Sequence, residues 1–191
     1  MLPYLYIGTE QNAKNVSLLE NLKITHVINT TDGYIGGNPA RLKLYDNHYK
    51  YLNFLAQDRR FYYILQHFEE VYRFIEDARI NDGKVLIHCS LGINRSGALS
   101  AAYIMQRKLQ GPLTTVSAIK RLRGCTLTNP GFQEQIIHFA NRRGLLARDK
   151  HFIENRSTEQ QLESQKAREA LEKKVQTKDR LIQEIFRDIT T

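Results

Sequence analysis

Short apolar or alternating runs at Leu5 to Ile7, Ile24 to Ile28, Tyr51 to Leu55 and Val85 to Ile87, bounded by Gly, Asn and Asp, read as β-strands. A weaker strand is expected near Leu42 to Tyr45. Between the strands the apolar spacing becomes helical. Val16, Leu19 and Leu22 mark one helix, and Ile64, Phe68, Val71, Phe74, Ile75 and Ala78 mark another. Asp82-Gly83 is a turn signal ahead of the last strand. After it the chain reads as helix throughout: Gly97 to Leu109, a helix started by Pro112 after the break at Gly111, and one opening at Asn129-Pro130 and running through Phe132, Ile136, Ile137 and Phe139. Strands with helical crossovers, followed by a block of helices, predict an α/β fold, a central twisted mixed sheet flanked by helices.

From about Asn155 the composition shifts to Gln, Glu, Lys and Arg. Ser157 and Gln160 form a capping-box pattern, and Leu171, Val175, Ile182, Ile185 and Ile189 keep a broken heptad. A charged C-terminal helical extension over residues 151–191 is expected, packed, fraying, or used between 157 and 189 for partner binding or self-association. The 191 residues allow one core of about 150 residues, so residues 1–150 are taken as a single domain.

Charge sharpens this division. The net +8 is 28 basic minus 20 acidic side chains; residues 151–191 carry eight of each, so the whole excess lies in residues 1–150. That suits anionic substrates, although it is also a common solubility setting. No apolar run spans a bilayer, and the start Met1-Leu2-Pro3-Tyr4 has neither a signal pattern nor a Gly at position 2. Cys89 and Cys125 are too few for a disulfide framework or a zinc site. A cytoplasmic or nuclear protein with no membrane association, no cofactor and no metal is expected.

The chemistry concentrates in His88-Cys89-Ser90-Leu91-Gly92-Ile93-Asn94-Arg95-Ser96-Gly97, which follows an apolar strand and opens a helix. Phosphoryl transfer from an ester needs an ionised nucleophile, a cradle for the phosphate oxygens and an acid for the leaving group. Cys89 supplies the thiolate, stabilised by the main-chain N–H groups of the loop and by the following helix N-terminus. The loop Ser90, Leu91, Gly92, Ile93, Asn94 and Arg95 binds phosphate, with the Arg95 guanidinium as a planar fork. Ser96 places a hydroxyl on the sulfur. His88 is expected to be a buried hydrogen-bonding residue that orients the loop.

This signature resembles the cysteine phosphatases, and within them the small dual-specificity phosphatases. Leu5-Tyr6-Ile7-Gly8, Ala13, Asn15, Ile24-Thr25-His26-Val27-Ile28-Asn29, and Asn129-Pro130-Gly131-Phe132 with Gln135 are similar to that family's landmarks in order. The resemblance implies the cysteine phosphatase fold, a phosphocysteine intermediate, no metal, and phosphorylated proteins as substrates. It also implies a general acid Asp about thirty residues before the Cys. Asp58 lies 31 positions upstream (89 − 58), after the strand Tyr51 to Leu55; Asp46 is the fallback and Asp32 is too early.

Two other readings stay open. Gly92, Asn94, Arg95 and Gly97 also resemble the cysteine-type RNA 5′-triphosphatases, which would make RNA the partner; those enzymes typically lack the Asp. Phosphoinositide phosphatases usually carry extra basic residues in the loop, where Ser90, Leu91, Ile93 and Asn94 are uncharged. Arg59 and Arg60 are candidate contacts for acidic or doubly phosphorylated flanks, and the modest segment around Gly36-Gly37 suits a shallow, dual-specificity pocket. Lys120, Arg121 and Arg123 read as a helix C-terminal charge set. Cys125 is a candidate redox partner for Cys89.

Overall fold

A computed structural model describes residues 2–31 and 49–149, together with Leu162, Glu163, Gln165, Lys166 and Glu169. The chain divides into two compact units, Met1–Asp149 and Lys150–Thr191. In the second, the five described residues are helical. The expected strand near Leu42 to Tyr45, the Gly36-Gly37 loop, Asp32, Asp46, the Ser157 cap and the heptad from Leu171 to Ile189 lie outside the described residues.

Four strands form one sheet: β1 (Leu5–Thr9), β2 (His26–Asn29), β3 (Lys50–Asn53) and β4 (Val85–Cys89), in the order β1-β4-β2-β3. Each described strand pair is parallel, and an isolated antiparallel bridge joins Thr31 to Leu55. Parallel neighbours need long crossovers. Two of these contain the helices α1 (Glu10–Lys14) with α2 (Val16–Leu22), and α3 (Phe68–Ile80). After β4 come α4 (Arg95–Lys108), α5 (Pro112–Arg123) and α6 (Pro130–Arg142).

Strand alternation sorts the core into two clusters. Leu5, Ile7, Ile28, Val85 and Ile87 pack with Val71, Ile75, Leu99, Tyr103, Phe132 and Ile136 from α3, α4 and α6. Val27 and Leu86 instead join Ala13, Leu19 and Ile24 in the smaller cluster with α1 and α2. β4, paired on both edges, is buried along its whole length, which explains the apolar run Val85 to Ile87. Each fully buried Leu or Ile here contributes about 1.5–3 kcal/mol. α4 is the central helix: every residue from Ser96 to Met105 is buried, and small Gly97, Ala98, Ser100, Ala101 and Ala102 let neighbours approach.

Side-chain caps fix the starts of α1 and α5. Thr9 and Asn12 form a reciprocal capping box that turns the end of β1 directly into α1. Gly111, at the start of α5, has no side chain to cap with. Buried Asp149 does so from 36 residues away, accepting hydrogen bonds from Leu113 N at 2.7 Å, Thr114 N at 3.1 Å and Thr114 Oγ1 at 2.7 Å.

Candidate active site

Cys89 ends β4 and is 2% exposed. From there the chain curls through Ser90 to Asn94 into α4. Two loop carbonyls are tied outward, Ser90 O accepting from Glu10 N at 3.2 Å and Ile93 O from Leu127 N at 2.9 Å, while Asn94 O accepts the first bond of α4 from Ala98 N at 2.8 Å. With these carbonyls engaged outside, N–H groups turn towards the sulfur. Gly92 N donates to Cys89 Sγ at 3.1 Å and Ser96 Oγ donates at 3.3 Å. Burial, the largest influence, pushes the Cys89 thiol pKa up. The Ser96 hydroxyl and main-chain N–H, the Arg95 charge and the Ile93 N–H together outweigh it, so the net shift is down.

Gly92 holds a positive φ of 68°, and a Cβ there would fall 2.5 Å from the Gly8 carbonyl oxygen and 2.5 Å from Arg123 Nη2. The loop thus lies directly on the end of β1. Arg123 stands in the last turn of α5, as the charge-set reading expects, but its Nη1 also donates to the Ile7 carbonyl. Its guanidinium therefore braces β1 and the loop together. A Cβ at Gly97 would fall 2.7 Å from Thr126 Oγ1, so the loop's far end needs a glycine too.

Arg95 is fixed across the loop mouth. Nη1 donates to the Ala56 carbonyl at 3.1 Å and Nη2 to Ser90 Oγ at 2.9 Å. Asp58 follows two residues after Ala56, exposed, with its carboxylate gripped on both oxygens. Asn94 Nδ2 donates to Oδ2 at 3.0 Å and Asn129 Nδ2 to Oδ1 at 2.8 Å. The loop that carries Asp58 is docked on the start of α6. A Cβ at Gly131 would fall 1.7 Å from the Arg60 carbonyl oxygen, Gln135 Oε1 accepts from Ile64 N at 2.9 Å, and Gln135 Nε2 donates to the Tyr62 carbonyl at 2.8 Å.

His88 departs from its expected role. It is 1% exposed, but neither ring nitrogen has a hydrogen-bonding partner among the described residues. Burial, opposed in part by the Cys89 main chain and Glu10, lowers its pKa to about 4. Loop orientation passes instead through its carbonyl, which accepts from Thr30 N at 3.1 Å and Thr30 Oγ1 at 3.0 Å. The side chain is a neutral filler in the sheet because desolvation makes the cation too costly. Cys89 and Cys125 are unpaired, the first buried and the second exposed. Among the described residues no group of three or more His, Cys, Asp or Glu is arranged to hold a metal ion, and no helix is long and apolar enough to cross a membrane.

The structure therefore brings Cys89, Arg95, Ser96 and the loop 90–95 together, and places Asp58 on the same loop through Asn94. In the sequence Asn129, Gly131 and Gln135 stand as family landmarks, and Asn129 also as a helix start; their contacts with Asp58, Arg60, Tyr62 and Ile64 give them a shared purpose. The Asn-Pro pair was a legible helix start, but nothing local says that an Asn amide reaches an Asp 71 residues earlier.

A thiol with a depressed pKa inside a ring of N–H groups, beside a guanidinium and a docked carboxylate, defines a cysteine-phosphatase type of site. The chain belongs to the dual specificity phosphatase catalytic domain family, whose model matches residues 5–142. It is 33% identical over 134 residues to mouse dual specificity protein phosphatase 19, covering 70% of this chain and 58% of that one. It is 37% identical over 133 residues to a Dictyostelium discoideum probable rhodanese domain-containing dual specificity protein phosphatase, covering 70% and 26%. Rat protein phosphatase Slingshot homolog 3 is 33% identical over 136 residues, covering 71% and 20%. The match thus spans about a fifth to three fifths of these relatives' own length. Among solved structures, DUSP15 superposes with a TM-score of 0.65 at 33% identity, covering 72% of this chain and 83% of that chain.

Proposed function

We propose that residues 1–150 are the catalytic domain of a dual-specificity protein phosphatase, which hydrolyses phosphotyrosine and phosphoserine or phosphothreonine through a phosphocysteine. The observation that carries this reading is the pairing of the hydrogen-bonded Cys89 sulfur with an Asp58 carboxylate tied to the same loop. The Cys89 thiolate attacks phosphorus while the loop N–H groups and Arg95 hold the equatorial oxygens. The P–O ester bond breaks as Asp58 gives its proton to the leaving oxygen. Water then attacks the phosphocysteine, Asp58 takes the water's proton, and the S–P bond breaks, returning the thiolate and releasing phosphate. Ser96 donates to the sulfur as its charge returns.

Phosphorylated proteins are the substrates in this reading, and dual specificity protein phosphatases among the relatives support it. Exposed Arg59 and Arg60 beside Asp58 suit acidic or phosphorylated flanks, although Arg60 also approaches Glu134 at 3.5 Å. A cytoplasmic or nuclear setting would keep Cys89 reduced. Asn94, the residue that resembles the RNA triphosphatases, has its amide directed at Asp58 rather than at the loop interior, which favours protein over RNA.

Initial rates on phosphotyrosine peptide, phosphothreonine peptide and triphosphorylated RNA under one set of conditions test the assignment. Both peptides should turn over, and Cys89→Ser should abolish turnover while retaining phosphopeptide binding. A rate on RNA exceeding both peptide rates would overturn it.

A further inference from the structure

Asn94 stands at the N-cap position of α4, where an Asn side chain ordinarily accepts a hydrogen bond from the helix's own first N–H groups. Here it makes no such cap bond. Its Oδ1 instead accepts from Thr128 N at 2.7 Å, Thr128 Oγ1 at 3.1 Å and Asn129 N at 3.0 Å. Two of these donors are main-chain N–H groups, so the orientation of the amide is unambiguous: oxygen towards Thr128 and Asn129, NH₂ towards Asp58. The side chain thus works in one direction as an anchor for the α5–α6 loop and in the other as a donor to the acid.

Asn129 is arranged as its counterpart. Its Oδ1 caps α6 through Gly131 N at 3.0 Å and Phe132 N at 3.4 Å, while its Nδ2 holds the other Asp58 oxygen at 2.8 Å. Asn129 is buried and Asp58 is exposed, so the carboxylate is held from beneath with one side open to solvent and to a leaving group. Leaving the first turn of α4 without a side-chain cap also keeps its N–H groups for an anion in the loop.

We propose that Asn94 is a positioning residue for the general acid. It acts with Asn129 as a two-amide clamp that fixes the Asp58 carboxylate on the phosphate loop before substrate arrives, so that proton transfer to poor leaving groups needs no separate loop closure. The proposal rests on Asp58 being the acid and deepens that reading by giving a phosphate-loop residue a role in leaving-group protonation. Anchoring and acid positioning can be separated chemically. Asn94→Asp and Asn129→Asp keep the oxygen that anchors Thr128 or caps α6, remove the N–H that faces Asp58 and set a repelling carboxylate oxygen in its place.

The test measures kcat/KM, which reports the phosphorylation half-reaction, for aryl phosphates whose leaving phenols range from acidic (4-nitrophenyl) to weakly acidic (phenyl). The full-length wild type, Asp58→Ala, Asn94→Ala, Asn94→Asp, Asn129→Asp and the double variant Asp58→Ala/Asn94→Ala are compared. A working acid makes the wild-type rates nearly independent of the leaving group, and Asp58→Ala should steepen the dependence. The Asn variants should steepen it as well, losing about tenfold on 4-nitrophenyl phosphate and about a hundredfold on phenyl phosphate. The double variant should be no steeper than Asp58→Ala alone.

A general loss of loop structure, or the added charge of the Asp variants acting on substrate binding, would lower all substrates by the same factor. If Asp58→Ala is steep and every folded Asn variant retains the wild-type slope, the clamp is overturned while the acid stands. If Asp58→Ala itself has the wild-type slope, the acid assignment fails and takes the clamp with it. Should Asn94→Ala not fold, the two Asp variants decide the matter alone.

Discussion

The hydroxyl of Ser96, one residue into α4, points at the sulfur of Cys89 across 3.3 Å. A hydrogen bond to a charged group is worth about 1.5–3 kcal/mol, and in the proposed mechanism this one favours the thiolate before substrate binds and again as the sulfur departs from phosphorus. Ser96→Ala should therefore raise the pH needed for iodoacetamide to alkylate Cys89. It should also slow phosphocysteine hydrolysis by about 10- to 100-fold, giving a stoichiometric burst of 4-nitrophenol before a slow steady state. A burst-free time course with an unchanged alkylation profile would remove Ser96 from the mechanism.

Gly131 has no room for a side chain because the Arg60 carbonyl occupies the position of its Cβ. Gly131→Ala should push the acid loop off α6 while leaving the Cys89 loop intact. The expected signature is turnover of phenyl phosphate reduced by about tenfold or more, with Cys89 alkylation by iodoacetamide unaltered. Equal loss in both assays would mean that the substitution damages the fold as a whole.

His88 titrates at about 4 in the folded chain against 6.5 when exposed. The unfolded state thus binds the extra proton first as pH falls. Stability contributed by the neutral imidazole is complete above about pH 6.5, declines as pH drops through the window to about 4, and is gone below it. The loss is on the order of 3 kcal/mol. Urea midpoints measured from pH 7.5 to 4.5 should fall for the wild type and fall less for His88→Gln, whose side chain carries no charge in this range. Parallel curves would show that other groups govern acid sensitivity.

Asp149 gives α5 the cap that Gly111 lacks. Asp149→Ala leaves two main-chain N–H groups and a hydroxyl without that acceptor and should cost about 1–3 kcal/mol, or several degrees of Tm. Calorimetry of the full chain would register it. An unchanged Tm would mean that α5 finds its cap elsewhere.

Sequence reading reached furthest where the signal was local. Strand and helix positions followed from spacing, with β1 and β4 each running two residues beyond the runs that marked them and β2 and β3 shifted by one or two residues at their ends. The short helix α1 was missed because its cap pairs Thr9 with Asn12, outside the usual Ser/Thr-x-x-Glu/Gln pattern. Cys89, Arg95 and Ser96 share one loop, so their spacing carried the chemistry, and Asp58 came from the resemblance to a family. What stayed hidden was long-range: which way Asn94 faces, why Asn129, Gly131 and Gln135 recur together, and how Arg123 reaches β1. Those hydrogen bonds span from 34 (128 − 94) to 116 (123 − 7) residues of chain, and depend on packing that no window of sequence contains. His88 was misjudged for the opposite reason. Among the described residues its ring makes no well-formed hydrogen bond, and a polar residue in a central strand can be tolerated simply by staying neutral.

The order β1-β4-β2-β3 has a consequence for how the protein is made. β1 sits at an edge with β4 as its neighbour, and Leu5 meets Val85 only after 80 further residues have been synthesised (85 − 5). The nucleophile's loop rests on β1, and the acid's dock arrives with Gln135. A nascent chain emerging from a ribosome at 5–20 residues per second would thus hold Cys89 for seconds before the start of α6 exists. During that interval Cys89 is an ordinary thiol. Phosphatase activity should appear only once the start of α6 has emerged.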